Sequence, residues 1–470
     1  MKSPIEELPW IDPETAFAVL FGHEPHAFWL DSSLVVPGLS RFSFMGAADG
    51  AFFYDCRERV LRTPDGVVRH GIDLFSWIDE HLAARAEPEW TLPSDFAGGL
   101  VGTIGYECKA LSGLNTPHRS HWPDAALFDV DRFVAFDHDA RRVYAVRMDG
   151  RVNAETWRSL SAPTVVGQPT QVDWHWARPR SVYARDIDEC LKAVARGDTY
   201  EACLTTALET SHRPDPLHLY RVLRRINSAP FSAFLRFDDL AVACSSPERF
   251  LRLDRSRTLE SKPIKGTRRR GRDPHEDNAL QRDLQTSAKD RAENLMIVDL
   301  VRNDLGRVSE IGTVHVPSLM AVESYATVHQ LVSTVRSRLR QDLAMGDAVR
   351  AAFPPGSMTG APKKRTVEIL DGLEGRARGI YSGALGYFSR NGTMDLNVVI
   401  RTAVVDASGC SIGVGGAIVA LSDPEAEIAE IELKARALKA AVEQSPHDRR
   451  RAARARYVTA PTWLRNNRVP

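Results

Sequence analysis

Apolar residues in this 470-residue chain come only in short runs. No stretch approaches the roughly 18 consecutive apolar residues that a membrane-spanning helix needs, so no such span is expected. The runs follow two periods. Phe28-Trp29-Leu30 and Val143-Tyr144-Ala145-Val146 cluster β-branched and aromatic residues between polar or turn residues, which reads as strand. Ile187, Leu191 and Val194 recur at helical spacing, so a helix is expected over roughly 181–196, ended by Gly197-Asp198. Further strands are expected at 232–236, 240–244, near 383–389 and 396–405. A long helical stretch is expected over roughly 275–303 and a last helix over roughly 424–443. No internal repeat is visible. The chain is 43% hydrophobic and 26% charged, which suits a globular protein with a sizeable core.

Between Ser161 and Thr170, Pro163, Gly167 and Pro169 stand among small and polar residues, making this the best linker candidate. It separates a region at 1–165 from one at 180–445. A basic tail at 446–470 follows, with Arg449, Arg450, Arg451, Arg454 and Arg456, expected to be solvated. Sixty-one basic residues balance 61 acidic ones, which argues against broad nucleic-acid binding. The six cysteines are scattered without a CxxC, as expected of reduced thiols rather than disulfides or a zinc site. The N-terminus shows no basic segment leading into an apolar run, so a cytoplasmic protein is expected.

The last helix has a well-marked start, with Ser422 or Asp423 to cap it and Pro424 at its first position. Ile428, Ile431, Ala435, Leu438 and Val442 make its apolar stripe. Glu427 and Glu430 share a face beside that stripe, with Lys434 a turn further. Asp290 and Glu293 repeat the spacing next to Leu295-Met296-Ile297-Val298. Like charges at this spacing repel mildly, so an arginine or a metal is needed nearby. If the two pairs converge, carboxylates and water suit Mg²⁺; taken singly, such a pair is ordinarily a solvated helix face.

Glu260-Ser261-Lys262-Pro263-Ile264-Lys265-Gly266-Thr267 carries a lysine between an apolar residue and a glycine. Burial would lower its pKa and make it a nucleophile. The plainer reading is a surface lysine, since Arg268, Arg269, Arg270 and Arg272 follow. Two small-residue segments, Gly413-Val414-Gly415-Gly416-Ala417 and Pro354 to Lys363, read as turns whose backbone N–H groups could hold an anion. Neither is a Walker loop. The run Gly98 to Glu107 is no dinucleotide fingerprint and reads as close backbone packing in a sheet. Arg401, after Val398-Val399-Ile400, is placed to pair with a carboxylate.

In order along the chain, these segments resemble the chorismate-utilising enzymes, a family that includes the component I chains of anthranilate and aminodeoxychorismate synthases, isochorismate synthase and salicylate synthase. The resemblance is carried by Ser246-Pro247-Glu248-Arg249-Phe250, Pro263 to Thr267 and Arg291 to Leu300 with Arg302-Asn303-Asp304. It continues through Val328-His329, Pro355 to Lys363, Tyr381 with Gly383 to Tyr387, Arg401, Gly415-Gly416-Ala417 and Glu427 with Glu430. It covers about 180–445. Asp31-Ser32-Ser33 and Ser40-Arg41-Phe42-Ser43 look like the family's tryptophan- or inhibitor-binding strand, at Ser32 and Ser33.

The resemblance implies an α+β fold of two large antiparallel sheets packed as a sandwich with helices outside. It implies Mg²⁺ on Glu293 and Glu430, with Asp290 and Glu427 acting directly or through water. Tyr381, Arg401, Lys434 and the backbone at Gly415, Gly416 and Ala417 would hold chorismate, with Gly266, Thr267 and Ser357 completing the pocket. Glu248 would be the general acid at the C4 hydroxyl, and His329 would lie near the ring. Lysine at 265, where the anthranilate synthases have alanine, implies amination at C4 through a covalent Lys265 intermediate. Lys262 is a second lysine in the motif, able to repel Lys265. No cysteine sits in a glutaminase-like elbow, so a separate glutamine amidotransferase is expected to supply ammonia. The alternatives are an anthranilate or isochorismate synthase and, outside enzymes, a chorismate- or tryptophan-binding regulatory subunit.

Overall fold

The computed structural model describes residues 4–85, 92–148, 157–162, 169–325 and 328–448. The linker candidate falls largely, and the basic tail almost wholly, outside the described residues.

Two 12-stranded antiparallel sheets face each other. In the first, Ile5–Leu8, Arg142–Val146, Phe133–Asp137, Phe42–Ala47 and His26–Asp31 lie side by side. Phe231–Phe237, Leu240–Ser246, Thr402–Asp406, Gly409–Val419, Glu201–Thr210 and His175–Trp176 continue it, and Gly360–Ala361 pairs with Glu201–Thr210 as the twelfth strand. The second runs Ile264–Arg269, Val328–Arg338, Thr258–Lys262, Arg249–Leu253, Met394–Val398, Ala384–Ser389, Gly99–Ile104, Ala125–Val130, Phe52–Asp55, Val60–Arg62, Val68–Arg69, with His315–Ser324 paired to Val328–Arg338 as the twelfth strand. Phe28, Phe44, Leu235 and Val242 of one sheet meet Val101, Phe128 and Leu385 of the other in the layer between them. Helices cover the outer faces. Phe17, Ile187, Leu223, Ile428 and Leu438 pack on the first sheet; Phe75, Ile297, Val298 and Val349 pack on the second. This is the expected helix-covered sandwich.

The 1–165 and 180–445 regions do not divide the fold. His26–Asp31 pairs with Phe231–Phe237 in one sheet, and Gly99–Ile104 pairs with Ala384–Ser389 in the other. Both sheets are therefore built jointly by the two regions.

Most expected elements are present at the expected places: the helices Arg180–Ala195 and Pro424–Glu443, and the strands Phe231–Phe237 and Leu240–Ser246. Asp423, not Ser422, caps the last helix, accepting from Ala426 N–H at 2.9 Å. Glycine packing in the sheet also holds: a Cβ on Gly102 would stand 2.0 Å from the Ala126 carbonyl oxygen. Three expectations need correction. The stretch 275–303 is two helices, Pro274–Thr286 and Ala288–Gly306, because Ser287 leaves helical geometry and caps the second. The run 396–405 is two strands in different sheets, Met394–Val398 and Thr402–Asp406, joined across the sandwich by Val399-Ile400-Arg401. Arg401 turns that corner with a left-handed φ of 51°. The Gly413–Ala417 segment is not a turn but lies within the strand Gly409–Val419.

Candidate active site

The functional residues gather where the chain passes from one sheet to the other. Ser246-Pro247-Glu248 links Leu240–Ser246 of the first sheet to Arg249–Leu253 of the second. Val399-Ile400-Arg401 makes the reverse passage. The two crossings are tied together: Val398 N–H donates to the Glu248 carbonyl at 3.0 Å, and Ser246 Oγ donates to the Val398 carbonyl at 2.6 Å.

Lys265 stands on the edge strand Ile264–Arg269 and is 8% exposed, so the surface reading fails. Its Nζ donates to Glu201 Oε1 at 2.5 Å. Glu201, fully buried, opens the strand Glu201–Thr210 of the opposite sheet. The expected fall in the lysine's pKa is also reversed. Burial alone would lower it, but the carboxylates of Glu201 and Glu293 hold it above its ordinary value. Lys262 contributes nothing here, since it pairs with Glu323 at 3.0 Å. The arginines after Lys265 lace the edge strand to the helix Pro274–Thr286 and to Asp290.

Glu248 is 5% exposed, and burial pushes its carboxyl up to about 7. Hydrogen bonds from Ser357 and the Ile264 backbone, and the charges of Lys265 and Lys434, pull it back only in part. Ser357 lies in the short turn Gly356–Met358. A carboxyl group balanced this way is half protonated near neutrality, as a general acid needs.

The two carboxylate pairs do approach one another. Burial raises Glu293 to about 7, with Glu201 and Glu430 adding to the rise and Lys265 and Lys289 opposing it. Lys289, unnoticed in the sequence, stands between the helices, 2.5 Å from Glu427 and 3.7 Å from Glu293. Lys434 donates to Glu430 at 2.7 Å and to the Gly415 carbonyl at 2.9 Å. Asp290 turns instead to Arg268 at 2.9 Å and packs on Gly266. Thus an arginine answers the repulsion at that end. Among the described residues, no three carboxylate, imidazole or thiolate groups converge on one point. Glu427 Oε2 is nevertheless buried with no hydrogen-bond partner, and Lys289 already holds a positive charge between two of the carboxylates. A hard cation fits donors of this kind.

Arg401 donates to the Lys434 carbonyl at 3.3 Å, and among the described residues no carboxylate reaches it. Burial lowers its pKa, opposed by Tyr381 and Glu430. A half-buried guanidinium without an anion beside it is a ready carboxylate receptor. Tyr381 is buried beside it, and its ring lies against Gly413, where a Cβ would come within 2.1 Å of it. Gly416 likewise makes room for Glu427: its Cβ would be 3.2 Å from Oε2. Ala417 and Gly416 pair with Cys203 and Leu204 in register. Thr267 follows the glycine on the edge strand, opposite Gln330.

His329 is 1% exposed, and protein groups occupy both its ring nitrogens: Ser324 Oγ at 2.7 Å and Asp277 at 3.0 Å. Lys363, in the second small-residue loop, binds Asp304 and the carbonyls of Ala352 and Pro354. It therefore braces the loop that carries Ser357. Ser32 lines a separate cavity of about 430 Å³ with Asp31, Ser40 and Arg249, whereas Ser33 is bound to Ala229 and Ser232. All six cysteines are buried free thiols.

Glu201 is the main residue that sequence reasoning passed over. Its signal was an acidic residue opening the apolar strand run Ala202-Cys203-Leu204, since a buried carboxylate requires a partner. The buried pair Glu374–Arg378, which also fastens the Thr205 N–H and the Cys203 carbonyl, was missed for the same reason.

Residues 53–440 match the family described as chorismate binding enzyme. The chain belongs to the chorismate binding enzyme family. It is 47% identical to an aminodeoxychorismate synthase of Streptomyces pristinaespiralis, over 92% of this chain and 64% of that protein. It is 37% identical to aminodeoxychorismate synthase component 1 of Klebsiella aerogenes, over 92% of this chain and 97% of that one. The chain thus spans less than two thirds of the first relative and nearly the whole of the second. Among solved structures, anthranilate synthase component I of Streptococcus pneumoniae superposes with a TM-score of 0.73 at 27% identity, covering 91% of this chain and 97% of that one.

Proposed function

We propose that this chain aminates chorismate at C4, giving 4-amino-4-deoxychorismate. The observation that carries the reading is Lys265: buried, in contact with one carboxylate and within the field of Glu248, in a family whose C2-aminating branch has alanine at this place. The names of the two relatives above agree with it. Arg401 and Tyr381, with the strand Gly409–Val419, hold a carboxylate of the substrate. Lys265 adds at C2 while the C4 hydroxyl departs as water with the proton of Glu248. Ammonia then adds at C4 and expels the lysine, so two easier steps replace one hard one. Glu293 and Glu430, with Glu427 directly or through water and Asp290, held by Arg268, through water alone, would hold Mg²⁺, which would supply Lewis-acid withdrawal at the ring carboxylate. The orphaned oxygen of Glu427 supports that assignment. A glutamine amidotransferase supplies the ammonia, and an ammonium salt replaces it in vitro.

The test is the product formed from chorismate, Mg²⁺ and an ammonium salt. We expect aminodeoxychorismate, and activity lowered at least about 10²-fold in Lys265→Ala. Anthranilate formed without an added lyase, isochorismate as the product, ligand binding without turnover, or full activity of Lys265→Ala would each overturn the reading.

A further inference from the structure

We infer that Glu201 is the positioning residue for Lys265: it aims the amine, takes its proton as it attacks and returns that proton when the lysine is expelled. The inference rests on the covalent reading above. Three features carry it. Glu201 Oε1 is 2.5 Å from Lys265 Nζ, and no other carboxylate is within ion-pair distance of that nitrogen among the described residues. Glu201 is entirely buried, so no water competes for the proton. Its second oxygen, Oε2, is buried with no hydrogen-bond partner, a vacant acceptor of the kind also found at Glu427 Oε2 and Asp371 Oδ2. An unsatisfied buried carboxylate oxygen is costly unless it is used.

The step balances. The resting pair is an ammonium and a carboxylate. One proton passes from Nζ to Glu201, leaving a neutral amine and a carboxylic acid. The nitrogen lone pair forms the bond to C2, the ring double bond shifts, and the C4–O bond breaks. Its oxygen leaves as water with the proton of Glu248, which becomes a carboxylate. When ammonia bonds to C4 and the lysine departs as a neutral amine, Glu201 returns its proton to Nζ. The new C4 ammonium restores the proton of Glu248.

Lys265 is faced by Glu201 and Cys203 from one strand, Glu293 from the helix Ala288–Gly306, Glu430 from the last helix and Glu248 from the sheet crossing. Of these, among the described residues, only Glu201 lies within hydrogen-bond distance of Nζ. With Glu201 present, proton transfer is internal, and adduct formation is independent of pH wherever Glu248 stays protonated. Without it, the amine must lose its proton to solvent, and the rate then follows the fraction of neutral lysine.

The experiment mixes Mg²⁺-loaded protein with chorismate and no ammonia. It follows by intact mass the adduct at Lys265, chorismate less one water, between pH 5 and 6.5, where Glu248 stays protonated. Wild type is expected to be flat over this range. Glu201→Gln is expected to slow by about tenfold for each pH unit downward, about 30-fold across the range, with chorismate affinity within about threefold of wild type. Glu201→Ala with added formate should regain part of the rate. Glu201→Asp, which keeps the carboxylate, should keep the flat profile and serves the same comparison if the glutamine variant does not fold. A flat profile at the wild-type rate in Glu201→Gln overturns the inference alone. So does a loss confined to chorismate affinity. Absence of any adduct in the wild type while C4 amination proceeds overturns the covalent reading and this inference with it.

Discussion

In the proposed reaction Glu248 carries the proton that the leaving hydroxyl needs, and its environment fixes when that proton is present. Burial is the largest influence and raises the carboxyl to about 7; Ser357, Lys265, the Ile264 backbone and Lys434 oppose it. The acid form therefore dominates below about 7 and is lost as the pH rises. We expect kcat/KM, corrected for the free ammonia present, to fall about tenfold per unit above that point. Glu248→Gln should lower kcat by about 10²–10⁴-fold, the range for losing a general acid, and abolish this limb. Initial rates from pH 5.5 to 9 decide it. A wild-type profile that stays level past pH 8.5 would remove Glu248 from the role. At this scale the sequence was readable for the two i,i+3 carboxylate pairs, which do approach one another, and for the arginine ending an apolar run; Lys265 was not, since its neighbours read as surface and its pKa shifts opposite to the expected direction. Glu201 and Lys289 were opaque because their meaning is a partner far away in sequence, at positions 265 and 427.

Elements were legible where one surface is buried and the other is not. The last helix has a cap, a first-turn proline and a clean apolar stripe, and it runs over the expected residues. The 396–405 run misled because both halves are buried on both faces, so nothing in the pattern marks the passage between sheets. The glycines at 413–417 misled differently. They read as turn formers, but their role is to omit side chains where Tyr381, the neighbouring strand and Glu427 come close. Gly413→Ala should therefore be costly: a methyl group 2.1 Å from the Tyr381 ring displaces that ring or the strand. We expect a stability loss of about 1–3 kcal/mol, as for other overpacked cores, together with a raised KM for chorismate. Gly372, inside the helix Lys363–Glu374 with no atom within 4 Å of its would-be Cβ, is the contrast. Gly372→Ala should stabilise by about 0.5–1 kcal/mol. Thermal unfolding of both variants gives the comparison, and equal midpoints would refute the packing account of Gly413.

For the whole molecule, the decisive fact is that the site borrows from both sheets while each sheet borrows from both halves of the chain. The motifs that mark the function all lie beyond residue 180, which invites treating that part as the enzyme and the first 165 residues as an accessory. Strand pairing says otherwise. Removing the first region would strip His26–Asp31 from Phe231–Phe237, and Gly99–Ile104 from Ala384–Ser389. Two central strands would become edges with unpaired backbone groups, and Val242 and Leu385 would lose Phe28, Phe44, Val101 and Phe128 from the layer between the sheets. Exposed edges of this length template aggregation rather than folding. The crossings that present Glu248 and Arg401 sit at the ends of the strands paired with Phe231–Phe237 and Ala384–Ser389, namely Leu240–Ser246 and Met394–Val398, so the site would lose its frame as well. We therefore expect the fragment 170–448 to be insoluble or without a cooperative thermal transition. Co-expression with 1–162 should restore a soluble complex that binds chorismate, because the missing contacts are strand pairs and apolar packing that two chains can re-form. Size-exclusion chromatography and circular dichroism on the fragment and on the pair would show this. A monomeric 170–448 fragment with a sharp unfolding transition would mean that the second region carries enough core to stand alone, and that the shared sheets add to the fold without being required for it.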